Sequence, residues 1–457
     1  MRQARCASAG CGPTRIRSPG PGSSSSGSST HCGADMETPT DYERPYRPAP
    51  VRALNALGRG IDRLRADPGL NVAAMLARAR KQTGLSDYGD EWFLTPLRVL
   101  VDSINAEARL TPVGRWIQRQ RIEAALATRL RLEDLLRRHP EIHDIDLGNV
   151  IVVAGLQRTG TTALHRLIAS HPEVRAVTAW EGMHPLPLPG DTRDRPRARL
   201  RRARWAERGI AYLAPAFFAV HPAEHDAPEE DVLLLDLCFM SQSAEATMHV
   251  PSYAGWLAGQ DHTHCYEYFR TVLRALAWQR PTRHWVLKTP HHLEYLDILL
   301  AVFPEATIVQ THRDPGQCVV SFCSMVAHGR GVFSDRVDPR EVAAHWVRKI
   351  RRMVDRAAAV RAASDPGRFV DVSYYELLRD PIAQLKRIYD QAGMPLGDGA
   401  LRAAEDTVRR NPQHRYGRHV YDPESFGLTA ESIERCFAAY RERHAIPRER
   451  AGRAGPP

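Results

Sequence analysis

Asn149-Val-Ile-Val-Val-Ala-Gly155-Leu-Gln-Arg-Thr-Gly160-Thr-Thr162 is the stretch on which the reading of the chain turns. Its first half is a short β-branched run ending in glycine, the pattern of a strand buried in a parallel sheet. Its second half has the length and glycine placement of a phosphate loop, G-x-x-x-x-G-K-[ST], with Thr161 where the lysine belongs. Such a loop turns sharply and offers successive backbone N–H groups to anion oxygens, and the helix that follows adds partial positive charge. Thr161 and Thr162 contribute hydroxyls, and Arg158 is the cation within the loop. No hydrophobic strand ends in a clear magnesium-binding aspartate. The loop therefore suits a terminal anion smaller than a triphosphate, held without metal.

Working outward, residues 284–287, 307–311 and 369–372 repeat the strand pattern. Between them Asp314-Pro315, Asp338-Pro339 and Asp380-Pro381 each set a capping carboxylate before a first-turn proline. After the last pair, Ile382, Leu385, Ile388 and Tyr389 form an apolar helical stripe. Strands alternating with helices predict an α/β fold over residues 146–447, a P-loop-type parallel sheet flanked by helices. Residues 46–145 read as an N-terminal helical extension, with starts at Asp67-Pro68 and Thr111-Pro112 and an apolar face of Val113, Trp116 and Ile117. That extension reads as a cap or a dimerisation element, which leaves a homodimer open. Residues 1–45, rich in Gly, Ser, Pro and Arg, and residues 448–457 read as disordered tails.

Composition narrows the class less than the motifs do. The net charge of +10 among 457 residues admits nucleic acid, an anionic surface or a polyanionic small ligand. The arginines are spread along helical faces and no nucleic-acid-binding motif is visible, so no nucleic acid partner is expected. The longest apolar runs, such as residues 298–303, are far short of a membrane span, and no apolar leader core follows the basic N-terminus. A cytoplasmic protein without stable membrane insertion is the expectation. The 8 cysteines lack framework spacing and read as reduced thiols. His262, His264 and Cys265, and His221 with His225, lack the spacing of a structural zinc site, so no metal is expected.

A second anion site lies in Thr307-Ile-Val-Gln-Thr-His-Arg313-Asp-Pro, where a strand runs into a helix and Ser321 follows Arg313 by eight residues. A guanidinium at the strand end and a hydroxyl two turns into the helix can both face the crevice beyond the strand. Arginine suits phosphate because it grips two oxygens at once.

Together, Gly155-Leu-Gln-Arg-Thr-Gly-Thr-Thr162 and Arg313…Ser321 resemble the sulfotransferase superfamily over about residues 149–430. His171-Pro-Glu-Val-Arg175 and Tyr375-Glu-Leu-Leu-Arg-Asp-Pro381 are closer to its bacterial and tyrosylprotein branches. The resemblance implies 3′-phosphoadenosine 5′-phosphosulfate (PAPS) as sulfuryl donor and a small-molecule acceptor bearing a hydroxyl or similar group. Gly155, Gln157, Arg158, Thr159, Gly160, Thr161 and Thr162 would hold the 5′-phosphosulfate, and Arg313 and Ser321 the 3′-phosphate. Arg415, in the late His414-Arg-Tyr-Gly417 stretch, would close over the 3′-phosphate and adenine.

The same resemblance gives Lys288 the bridging oxygen and makes Glu181, ahead of His291, the base; Pro290 shifts His291 one place from the family spacing. The insertion at residues 191–280, with Trp205, Phe217, Phe218, Trp256, Tyr266, Phe269 and Trp278, is expected on the acceptor side. A lipid-like or aromatic metabolite is the acceptor this favours. Two other classes stay open on sequence alone: a P-loop kinase or triphosphatase, and a non-catalytic nucleotide-binding protein.

Overall fold

The computed structural model describes residues 42, 44–64, 69–193, 195–220, 224–410 and 422–449. Its centre is a sheet of five strands: β1 (Asn149–Val153), β2 (Val174–Ala176), β3 (His284–Lys288), β4 (Thr307–His312) and β5 (Phe369–Ser373). They lie in the order β2-β3-β1-β4-β5, every neighbouring pair parallel. Side chains alternate between the two faces as a pleated strand demands. Val150 and Val152 join one core, while Ile151 and Val153 join the other with Val286, Val309 and Val370. The sequence reading places four of these strands. It misses β2, which is three residues long and overlaps the end of the 171–175 stretch.

The helices begin where their caps direct. Asp314 accepts from Gly316 N at 3.0 Å, Asp338 from Arg340 N at 2.9 Å and Asp380 from Ala383 N at 2.9 Å. Leu385, Ile388 and Tyr389 of the expected stripe are buried against the sheet. The loop after β1 opens α5, counted fifth after four N-terminal helices: α1 (Ala49–Leu64), α2 (Val72–Thr83), α3 (Leu94–Glu107) and α4 (Pro112–Arg138), with α5 at Thr161–Ile168.

The N-terminal region is helical before the first strand, as expected. Asp67-Pro68 lies outside the described residues, and α2 is capped by Asn71, which accepts from Ala74 N at 2.9 Å. In α4 the Val113, Trp116 and Ile117 face is not the packed one: Trp116 is 55% exposed, whereas Leu126 and Leu130 are fully buried. These helices share a core with the sheet. Leu97, Leu126 and Leu130 belong to the same core as Val150 and Val152. A Cβ on Gly114 would lie 2.1 Å from the Phe333 carbonyl oxygen, so only glycine lets α4 meet that backbone.

Among the described residues no helix is long and apolar enough to cross a membrane. The five cysteines described, Cys238, Cys265, Cys318, Cys323 and Cys436, are unpaired thiols, the first four buried.

Candidate active site

The parallel topology brings the carboxyl ends of β3, β1 and β4 side by side, with Val153 paired to Lys288 on one flank and Val309 on the other. The crevice beyond such strand ends is where open α/β sheets take ligands. The loop leaving β1 is shaped for close approach. A Cβ on Gly155 would stand 1.8 Å from Thr311 Oγ1. Gly160, at φ 87°, and Arg158, at φ 70°, both hold left-handed backbone. For arginine that conformation costs on the order of 1 kcal/mol or more and is retained where the surroundings impose it. Thr159 donates to the Leu156 carbonyl at 2.6 Å and its hydroxyl meets that of Thr311 at 2.6 Å, pinning the loop to β4. Its hydroxyl is thus used in bracing. Gln157 is buried, and both its side-chain amide atoms lack a partner among the described residues. A buried, unpaired amide on an anion-type loop fits a ligand supplying the missing partners.

Arg313 follows β4 directly, and its Nη1 donates to the Arg158 carbonyl at 3.1 Å. The two anion-type segments therefore lie against each other. The Arg313 guanidinium lies over the Tyr374 ring, 4.2 Å from its centroid. Its Nε and Nη2 donate to the two oxygens of Glu449, at 2.7 and 2.9 Å. Burial works against the charge of Arg313, but the Glu449 carboxylate, with Cys318 and Tyr374, outweighs it and holds the guanidinium above its ordinary value. Ser321 is buried in the helix Pro315–Phe333. Residues 448–449, assigned to a tail from sequence, are thus anchored: Glu449 N also donates to Asp314 at 2.7 Å, and Arg448 lies 2.9 Å from Glu434.

Lys288 ends β3 on the other flank and is 2% exposed. Its ammonium donates to Glu230 Oε1 at 2.9 Å and lies 3.5 Å from the Thr162 hydroxyl. Glu230 takes a second hydrogen bond from the Thr289 hydroxyl at 3.2 Å. Asp231 accepts from the Lys288 backbone N at 2.6 Å and lies 3.0 Å from His292 Nε2, whose other ring nitrogen meets Tyr266 at 2.9 Å. Lysine, carboxylate and loop hydroxyl converge here.

The other sequence candidates lie elsewhere or are otherwise engaged. Glu181 sits in α6 (Ala179–Met183) and closes its capping box: Oε2 accepts from Thr178 N at 3.2 Å and Thr178 Oγ1 at 2.9 Å. Its Oε1 takes Arg175 and, at 3.2 Å, Arg280. With donors on both oxygens, it is placed as a structural ion pair. His291 is fully buried against Tyr295 and His262, with ring centroids 4.9 and 5.8 Å away. Burial pushes its imidazole well below the ordinary histidine value, a poor setting for taking a proton. Arg415 lies outside the described residues. Of the insertion's aromatics, Tyr266 and Phe269 are core and Trp205 is 67% exposed.

Glu230 was missed from sequence. It stands in an irregular stretch with no motif spacing, 58 residues from Lys288. One group of metal-ligand type occurs among the described residues: His312, Asp371 and His444. The two rings stack 3.9 Å apart at 18°, so a single ion cannot lie near both ring planes, and Arg361 already holds both Asp371 oxygens.

The sulfotransferase family pattern matches residues 150–398. The structure superposes on sulfotransferase STF1 of Mycobacterium tuberculosis H37Rv with TM-score 0.72 and 33% identity, covering 81% of this chain and 99% of that one. For sulfotransferase STF9 of Mycobacterium avium the TM-score is 0.75 at 27% identity, over 83% of this chain and 98% of that one. These shares exceed what residues 146–447 contain, so the likeness reaches into the N-terminal helices, beyond the 149–430 expected from sequence. The omega-hydroxy-beta-dihydromenaquinone-9 sulfotransferase of Mycobacterium bovis is 29% identical over 172 residues, which are 36% of this chain and 40% of that protein. With the family pattern spanning residues 150–398 and a 33% identical relative covered over 99% of its length, the chain belongs to the sulfotransferase family.

Proposed function

We propose that this protein transfers the sulfuryl group of PAPS to a hydroxyl on a small acceptor with a lipid-like or aromatic body. The observation that carries the reading is the Arg313–Arg158 hydrogen bond of 3.1 Å, which sets the two anion-type segments side by side. A nucleotide with a 5′-phosphosulfate on the loop 155–162 and a 3′-phosphate on Arg313 and Ser321 needs that adjacency. The unpaired Gln157 amide and the backbone N–H groups of the strained loop supply donors on the phosphosulfate side.

In this reading the acceptor oxygen forms a bond to sulfur as the sulfur–oxygen bond to the 5′-phosphate breaks. The Lys288 ammonium stabilises the charge growing on that bridging oxygen. Glu230, 2.9 Å from Lys288, takes the acceptor's hydroxyl proton in place of Glu181 or His291, and adenosine 3′,5′-bisphosphate departs. The menaquinone-type acceptor in the Mycobacterium bovis relative's name supports a lipid-like body for the acceptor here. Titration calorimetry tests the donor site: adenosine 3′,5′-bisphosphate binds without metal, and ATP with Mg²⁺ does not. Preferential ATP·Mg²⁺ binding would refute the reading and favour a kinase-type site.

A further inference from the structure

A cavity of about 340 Å³ opens between the N-terminal helices and the segment that carries Glu230. That volume is in the range of small-molecule sites, and the walls are mainly apolar. From α3 come Leu100 and Ile104, from α4 Ile117, and from the acceptor-side segment Leu233, Leu237 and Phe239. Polar side chains interrupt them, among them Gln118, His184 and Asp236, the last hydrogen-bonded to Ser241 and 3.4 Å from Arg121.

The cavity lies close to the proposed chemistry along the chain. Leu233 stands three residues after Glu230, a span of no more than about 11 Å. Between them Asp231 grips the Lys288 backbone, so this short path is fixed to the end of β3. Gly182, which also lines the cavity, packs against Leu233: a Cβ there would meet Leu233 Cδ1 at 2.7 Å.

We infer that this cavity receives the apolar body of the acceptor, so that α3 and α4 set acceptor length and shape while Glu230 and Lys288 act on its hydroxyl. The inference rests on the sulfuryl-transfer reading and extends it to residues 94–138, which the sequence assigned no part in binding. The occupant is an unbranched or flat apolar molecule with a terminal hydroxyl. An apolar wall gains about two- to fourfold in affinity for each methylene it removes from water.

The probes are primary n-alkanols from butanol to dodecanol, measured by calorimetry and as acceptors, with adenosine 3′,5′-bisphosphate titrated in parallel. In the wild-type protein affinity should climb with chain length. Ala125→Phe, on the half-buried cavity wall, should flatten that climb tenfold or more at dodecanol while leaving butanol and the bisphosphate unchanged. Should that variant fail to fold, Ile117→Ala should weaken the long alcohols selectively. An identical chain-length slope in wild type and folded variants overturns the inference even if the bisphosphate binds normally. Failure of the bisphosphate to bind sinks the donor reading instead, and a variant-sensitive alcohol slope would still mark the cavity. If Ala125→Phe alters only self-association, seen by light scattering, the face is a contact between copies and the inference falls.

Discussion

The Glu449 carboxylate holds the Arg313 guanidinium by two parallel hydrogen bonds of 2.7 and 2.9 Å, the geometry with which arginine grips a phosphate. A 3′-phosphate arriving at Arg313 must displace Glu449 or share the guanidinium with a like charge. Glu449→Gln should therefore tighten adenosine 3′,5′-bisphosphate by about 3- to 10-fold, the scale of a lost charge-assisted competitor. Binding of adenosine 5′-phosphosulfate, which lacks the 3′-phosphate, should be unchanged. Calorimetry with both ligands checks this, and weaker bisphosphate binding would mean that Glu449 serves to orient Arg313.

Arg313 itself gives the complementary contrast. Arg313→Ala removes a bidentate donor, so bisphosphate affinity should fall about 10- to 100-fold. Adenosine 5′-phosphosulfate should lose much less, because its anion sits on the loop at Gly155–Thr162. Equal losses for the two ligands would contradict the assignment.

At the other end of the cleft, three carboxylate and lysine substitutions separate chemistry from scaffolding. Lys288→Ala and Glu230→Gln should each lower kcat by about 10²- to 10⁴-fold with little change in bisphosphate affinity. Glu181→Gln breaks a buried pair with Arg175 and Arg280, so it should cost about 3–5 kcal/mol of stability. Its folded fraction should retain most of the wild-type kcat. A kcat collapse in well-folded Glu181→Gln would return the base to that residue.

That contrast also shows what the sequence could carry. The strands at residues 149–153 and 307–312 were legible because β-branched runs and the glycines after β1 act locally. β2 was not, since three residues give no periodicity to read. Glu181 carried a legible warning: Thr178-Ala-Trp-Glu181 is a capping-box pattern, which commits the carboxylate to the helix start. Glu230 had no such sign, because only tertiary packing brings the irregular 227–231 stretch onto the end of β3. Glu449 was hidden for a related reason. A single acidic residue in a polar terminal stretch looks solvated until its partner is placed.

Deeper in the body, Glu245 offers a test of the electrostatics by pH. Its side chain is 1% exposed, with Lys349 at 2.9 Å and His345 at 2.7 Å. Burial alone would raise its carboxyl, but Lys349 and His345 outweigh that and bring it from 4.5 down to about 2. A carboxyl depressed on folding stabilises the native state fully above its unfolded value and loses that stabilisation as pH falls towards its folded one. The window here runs from about pH 4.5 to pH 2. At pH 7 the linkage amounts to roughly 3 kcal/mol, and at pH 3 to less than half of that. Urea unfolding of wild type and Glu245→Gln should show a gap of that order at pH 7 that more than halves at pH 3. A gap independent of pH would mean the residue stabilises by packing, with its charge playing no part.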